Sequence, residues 1–268
     1  MNNVCKVWGI LNVTPDSFSD GGNNFHHDAA LAAALKLMND GADVLDIGAQ
    51  STRPGAALIS VEEEWDRIKD ILPIIATEAK RRNVLISLDS SKGVVIQRAL
   101  EYIDIINDVS ALADPLLVAI VRESKLPCVL MHHLTIPANR EIVLSHHLDI
   151  LEPILRWFER KLALLEDLGI RKDRLILDPG IGFGKTSLQS MEILERVSRL
   201  KQFGLPLLIA HSRKRFLHEA FKAVTTDELD AATAMVSWQL LESNIQHLRV
   251  HDAWMHRKFV DLYKTVQR

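Results

Sequence analysis

The chain has 268 residues, 47% of them hydrophobic and 25% charged, with a formal net charge of −3. Such proportions allow a large buried core, and the weak negative charge gives no general attraction to nucleic acid or an anionic membrane. No apolar run reaches the roughly 20 residues of a membrane span, and the first six residues lack the apolar core of a signal peptide. Cys5 and Cys128 stand far apart in apolar surroundings, the pattern of reduced thiols in a cytoplasmic protein.

Short β-branched runs alternate along the chain with longer segments of helical period, the mark of an α/β fold. Strands are predicted over 7–13, 44–47, 84–88, 103–106, 128–131, 175–177, 207–209 and 248–250. Ser60 and Glu63 have the spacing of a capping box ahead of Trp65, Ile68, Ile71 and Leu72. Asp114-Pro115 reads as an N-cap followed by proline at the first helical position. Gly41, Gly169 and Gly204 each close a helical pattern shortly before the next strand. Further helices are expected over 147–168 and 227–243. Eight alternations predict one domain over residues 1–268, a (β/α)8 TIM barrel. An open doubly wound sheet is the alternative, but residues 12–22 make a first turn too long and too polar for it.

A barrel places functional groups at the C-terminal ends of its strands. Those ends carry Asn12, Asp46, Asp89, Asn107, His132, Asp178, Ser212-Arg213-Lys214, and Arg249 with His251. Asp89, Asn107 and Asp178 suit a flat heterocycle with a donor edge, because a carboxylate accepts two parallel N–H bonds. Arg53, Arg213, Lys214, Arg249 and His251 are read as cations for phosphate or carboxylate groups. Ser212 is read as the start of a helix whose free N–H groups form an anion site.

Residues 178–186, DPGIGFGKT, nearly spell a phosphate-binding P-loop, but Pro179 stands where its first glycine is required. The pairs His26-His27, His132-His133 and His146-His147 are adjacent in sequence, so their side chains point apart and do not make a zinc site. Lys214 as a Schiff-base lysine is a lesser alternative on a barrel rim.

Residues 12–22, 51–56, 178–185, 212–214 and 249–252 resemble the signature segments of the dihydropteroate synthase family, in the family's order. The resemblance implies a (β/α)8 barrel, usually a homodimer, working in folate synthesis. Such enzymes join p-aminobenzoate to 7,8-dihydropterin-6-ylmethyl diphosphate and release pyrophosphate, with Mg2+. It further implies that Asn12 holds the metal and, with Thr52, Arg53, Arg249 and His251, receives the diphosphate. Asp89, Asn107, Asp178, Lys214 and Phe183 would face the pterin; Phe18, Pro54, Ser212 and Arg213 would position p-aminobenzoate. Asp89, Arg53, Lys214, Arg249 and His251 would carry the catalysis.

Ala49-Gln50, His133-Leu134 and Ala210-His211 depart from the family's usual residues, which puts the fit of the pterin pocket in question. Ala49, Gln50 and Ala210 keep open a catalytically silent pterin-binding paralogue. A pterin-dependent methyltransferase barrel is a second rival, although it would not need residues 51–56 or 212–214. Gly21-Gly22 and Gly55 are candidate hinges of loops closing over substrate. The short segment before the first strand is expected to leave the barrel floor without the hairpin that many members carry.

Overall fold

The computed structural model of the protein describes residues 5–14, 23–53, 55–145, 149–222 and 224–266. Phe18, Gly21, Gly22, Pro54, His146 and His147 lie outside the described residues, as does the His26 side chain. Eight parallel strands are present: β1 (Lys6–Asn12), β2 (Val44–Gly48), β3 (Leu85–Asp89), β4 (Ile105–Asp108), β5 (Cys128–Met131), β6 (Leu175–Asp178), β7 (Leu208–Ile209) and β8 (His247–Val250). They run in the order β6-β5-β4-β3-β2-β1-β8-β7, and a parallel bridge between Leu177 and Leu207 brings the two ends together. The result is a nearly closed single-domain barrel with helices between its strands.

The helices are α1 (Asn23–Asn39), α2 (Val61–Ile68), α3 (Leu72–Arg82), α4 (Gly93–Ala99) and α5 (Pro115–Ser124). They continue as α6 (Leu151–Asp167), α7 (Ser187–Glu195), α8 (Arg215–Phe221), α9 (Thr226–Glu242) and α10 (Ala253–Val266). Asp114 caps α5 by accepting from Leu116 N, as its sequence implies. Gly41, Gly169 and Gly204 take positive φ after their helices. The expected capping box at Ser60 is half made. Ser60 Oγ accepts from Glu63 N, but the Glu63 carboxylate instead accepts from Arg67 one turn on. The segment read as continuous through Leu72 breaks into α2 and α3, the second beginning with Pro73 in its first turn.

Strand alternation divides the barrel interior into two layers. Trp8, Val44, Ile105, Val129, Ile176 and Leu208 point inward near the floor and pack as one apolar cluster. Trp8 is fully buried, and its indole N–H donates to His247 Nδ1 at 3.0 Å, which satisfies the one polar atom the ring brings inside. This large side chain fills the floor from within. Two residues further along each of those strands stand Ile10, Asp46, Asn107, Met131, Asp178 and Ala210. Five of the six line a cavity at the C-terminal end, and Asp46 lies buried beneath it.

Candidate active site

Asp46 organises the upper layer. Its Oδ1 accepts from Ser87 Oγ at 2.5 Å, and its two oxygens accept from Asn107 Nδ2 at 3.2 and 3.0 Å. Arg249 Nε donates to Asp46 Oδ2 at 2.5 Å, while Nη2 donates to Asp89 Oδ2 at 3.0 Å. The carboxylate of Asp46 therefore turns the Asn107 amide so that its carbonyl oxygen remains for a ligand. Sequence reading placed Asp46 on the rim. It lies within β2, buried in the upper layer beneath the cavity, and acts on its neighbours.

The cavity above has a volume of about 1130 Å³. Asp89 stands in its wall with a side chain 16% exposed. Burial pushes the Asp89 carboxyl up to about 7; Arg249 opposes that rise and the charge of Asp46 adds to it. Burial also raises Asp178, opposed by the Gly180 N–H that donates to Asp178 Oδ1 at 2.7 Å and by the charge of Lys214. Lys214 Nζ lies 4.9 Å from the centre of the Phe183 ring, a cation over an aromatic face. Desolvation lowers this ammonium to about 8, with Arg249 the next cause.

The loop after β6 bends tightly against the end of β5. Gly180 has φ +66°, and a Cβ there would stand 1.9 Å from His132 O, so only glycine fits. Lys185 closes the loop. Its buried Nζ reaches His132 Nδ1 at 2.9 Å, His132 O at 3.3 Å and Phe183 O at 2.9 Å, three acceptors for three N–H donors. Burial pushes Lys185 down to about 7, against the pull of Asp178. Burial and then Lys185 push His132 to about 2, leaving a neutral ring that can accept. His132 does not stand on the rim as expected. It follows inward-facing Met131, so alternation turns it outward against Trp157 of α6, with ring centres 5.1 Å apart.

The cationic side also differs from expectation. Ser212 does not begin a helix: Arg213 has φ +53° and α8 starts only at Arg215, so the N–H groups beside Ser212 are not a helix terminus. Arg213 lines the cavity, but its guanidinium makes a bidentate pair with Asp230 of α9 at 2.7 Å and 2.7 Å, which offsets its charge. His251 is not a cation. Burial, then Arg213 and Arg249, push it to about 3. His251 N donates to Ser212 Oγ at 3.2 Å, and that hydroxyl is 3.0 Å from His251 Nδ1. Donation from the hydroxyl to Nδ1 leaves the ring proton on Nε2.

Asn12, Thr52 and Arg53 line the same cavity. Arg53 is exposed, and its side chain makes no hydrogen bond among the described residues. Gly55 has φ +82°, and a Cβ there would meet open space. Ala49 packs in the core, and Gln50 Oε1 accepts from Lys92, which also pairs with buried Glu64.

Among the described residues no group of three or more His, Cys, Asp or Glu could hold a metal. Asn12 Oδ1 and Asp89 Oδ2 flank Gly48, 3.8 and 3.9 Å from where a Cβ would stand. Magnesium commonly keeps waters and takes further oxygens from substrate phosphates. A single amide oxygen on the cavity wall fits a metal that arrives with its substrate.

The chain matches the pterin-binding enzyme family over residues 8–251. It is 37% identical to dihydropteroate synthase of Escherichia coli strain K12 over 247 residues, 92% of this chain and 86% of the relative. A structure of the Xanthomonas albilineans dihydropteroate synthase with 4-aminobenzoic acid superposes with a TM-score of 0.89 at 34% identity, covering 98% of this chain and 93% of that one. The Anaplasma phagocytophilum enzyme with bound 6-hydroxymethylpterin-monophosphate gives 0.89 and 34%, covering 98% and 99%. With the match spanning all eight strands that build the cavity, the chain belongs to the pterin-binding enzyme family.

Proposed function

We propose that the chain is a dihydropteroate synthase, condensing p-aminobenzoate with 7,8-dihydropterin-6-ylmethyl diphosphate to give 7,8-dihydropteroate and pyrophosphate. The observation that carries this reading is the convergence of Asp89, Asn107, Asp178 and Lys214 on one cavity beside Arg249 and His251. We assign the pterin to the first four and to Phe183. A carboxylate at Asp178 takes two parallel N–H bonds from the amino-pyrimidinone edge, and the Asn107 carbonyl oxygen takes a further donor. We assign the diphosphate to Asn12, Thr52, Arg53, Arg249 and His251, the last as a neutral Nε2–H donor.

In the reaction the bond from the pterin methylene to the diphosphate oxygen breaks, and its electron pair leaves with pyrophosphate. Positive charge develops on the methylene, where the Asp89 carboxylate stabilises it. The aryl amine forms the new carbon–nitrogen bond and releases its proton to solvent. Asn12 would hold Mg2+, which would supply charge neutralisation on the leaving group. We assign Ser212 to p-aminobenzoate, together with Phe18 and Pro54 on the family resemblance. Arg213 serves by holding that loop onto α9 through Asp230.

The silent-paralogue reading rested on Ala49, Gln50 and Ala210. Ala49 packs into the core and Gln50 keeps a polar contact to Lys92, neither displacing the proposed pterin ligands. Pyrophosphate release, followed with Mg2+ and the pterin diphosphate, should begin only when p-aminobenzoate is added. Pterin binding without release would favour the paralogue.

We place the enzyme in the cytoplasm, where buried free Cys5 and Cys128 stay reduced. We propose a homodimer, supported by Met235 and Trp254, 61% and 53% exposed on neighbouring α9 and α10. Sedimentation at a single chain mass would oppose it.

A further inference from the structure

Behind the cavity, α9 carries buried Asp230, Thr233 and Ser237 at spacings of three and four residues, a polar stripe along one helix face. Such a stripe facing inward must be fully hydrogen-bonded to be tolerated. Asp230 holds the Arg213 guanidinium, and Thr233 Oγ1 accepts from Arg213 N at 3.3 Å. The third position, Ser237, lies between two buried histidines. His211 Nε2 is 2.8 Å from Ser237 Oγ and 3.2 Å from Thr233 O. His256 Nε2 is 2.9 Å from the same hydroxyl, and His256 Nδ1 is 2.7 Å from Asp252 O.

The partners assign the protons. His211 Nε2 faces the Thr233 carbonyl, which can only accept, so Nε2 carries a proton and donates toward Thr233 and Ser237. His256 Nδ1 faces a carbonyl and must carry its proton, which leaves Nε2 to accept from the Ser237 hydroxyl. Burial lowers both rings, His211 to about 3, consistent with two neutral imidazoles. The side chains thus form a connected chain from His211 through Ser237 to His256 and the Asp252 carbonyl, with the Ser237 hydroxyl also 3.0 Å from Thr233 O.

Its two ends belong to different cavity loops. His211 directly precedes Ser212–Lys214, and Asp252 directly follows His251. The same loops touch in front through Ser212 and His251. They are therefore tied on both faces. The Arg213–Asp230 pair already holds the first loop to α9, and the chain through Ser237 and His256 joins the same helix to the second loop, which fixes their relative placement.

We propose that the His211–Ser237–His256 chain is a positioning element that sets the spacing between Lys214 and the Arg249–His251 pair. It rests on the assignment of Lys214 to the pterin and of Arg249 and His251 to the phosphates. A ligand spanning both loops gains from correct spacing, while a ligand meeting one loop does not.

The test is calorimetric binding of 6-hydroxymethylpterin monophosphate, of 6-hydroxymethylpterin alone and of magnesium pyrophosphate, to wild type, Ser237→Ala, His211→Leu and His211→Gln. Ser237→Ala removes only the bridging hydroxyl and is the variant least disturbing to the fold; circular dichroism checks each. Ser237→Ala and His211→Leu should weaken the spanning ligand about tenfold and each fragment less than threefold. His211→Gln, which retains an N–H donor, should recover most of the loss. Equal weakening of all three ligands, or no weakening, would overturn the proposal. Failure of the wild type to bind the pterin fragment would instead strike at the functional assignment.

Discussion

The two layers inside the barrel are built from the same strands by the same alternation, yet they follow opposite chemistry. The floor layer, from Trp8 to Leu208, is apolar and closed. The layer above holds Asp46, Asn107, Asp178 and Arg249, all drawn from the interior of a barrel that could have been filled with leucine and valine. Replacing a buried ion pair with well-packed apolar groups is often neutral or stabilising. The upper layer is therefore retained for what it binds, while the lower one holds the barrel shut. Substitutions in the two layers should separate stability from activity.

Asp46→Ala should have the largest effect. It leaves the Arg249 guanidinium and the Asn107 amide without their buried acceptor, which costs about 3–5 kcal/mol of stability. Activity should fall about a thousandfold or more, since Arg249 and Asn107 both lose their orientation. Urea unfolding and pyrophosphate release measure the two parts. Trp8→Ala should cost a similar 3–5 kcal/mol through the cavity it opens. It should nevertheless leave kcat/KM within about twofold below the unfolding transition, because its cavity lies under the site. If Trp8→Ala abolished activity in folded protein, the division between layers would be wrong.

Lys185→Met removes the cation that binds His132 and the Phe183 carbonyl. KM for the pterin diphosphate should rise about tenfold as the loop loosens, with KM for p-aminobenzoate little changed. A larger effect on p-aminobenzoate would place Lys185 elsewhere in the mechanism.

The pH profile should be narrow. Asp89 acts as a carboxylate and its pKa is raised to about 7, so kcat/KM falls as pH drops below that value. Lys214 acts as an ammonium with a pKa lowered to about 8, so activity also falls above it. A flat profile from pH 6 to 9 would contradict both assignments. For stability the Asp89 sign is the reverse of a salt-bridged carboxylate. Its folded pKa lies above the unfolded one, so its contribution is most favourable at low pH and is lost as pH rises through about 7. The smallest effect is expected from Gln50→Glu, which sets a carboxylate beside the Lys92–Glu64 pair and should change kcat/KM less than threefold.

Much of this was legible in the sequence because it is local. The β5 run coincides with its predicted bounds, and every other strand lies within two residues of expectation at each end. The Asp114-Pro115 start and the three glycine stops depend on backbone preferences that act within a few residues. His132 could have been placed correctly, since a residue directly after inward-facing Met131 must turn outward. Asp46 could not: its role depends on Arg249, 203 residues away in the chain. Nor does any glycine announce the left-handed backbone at Arg213 that delays α8. Lys185 stands in the stretch that fails as a P-loop, and nothing local shows that its ammonium folds back onto His132 and Phe183.

The most direct test is the affinity of 6-hydroxymethylpterin monophosphate for wild type, Asp178→Asn and Trp8→Ala, measured calorimetrically in folded protein. Asp178→Asn turns one of two parallel acceptors into a donor and should weaken binding about a hundredfold. Trp8→Ala should bind like the wild type. Undiminished binding by Asp178→Asn, or equal loss in both variants, would contradict a pterin site built from the upper layer of the barrel.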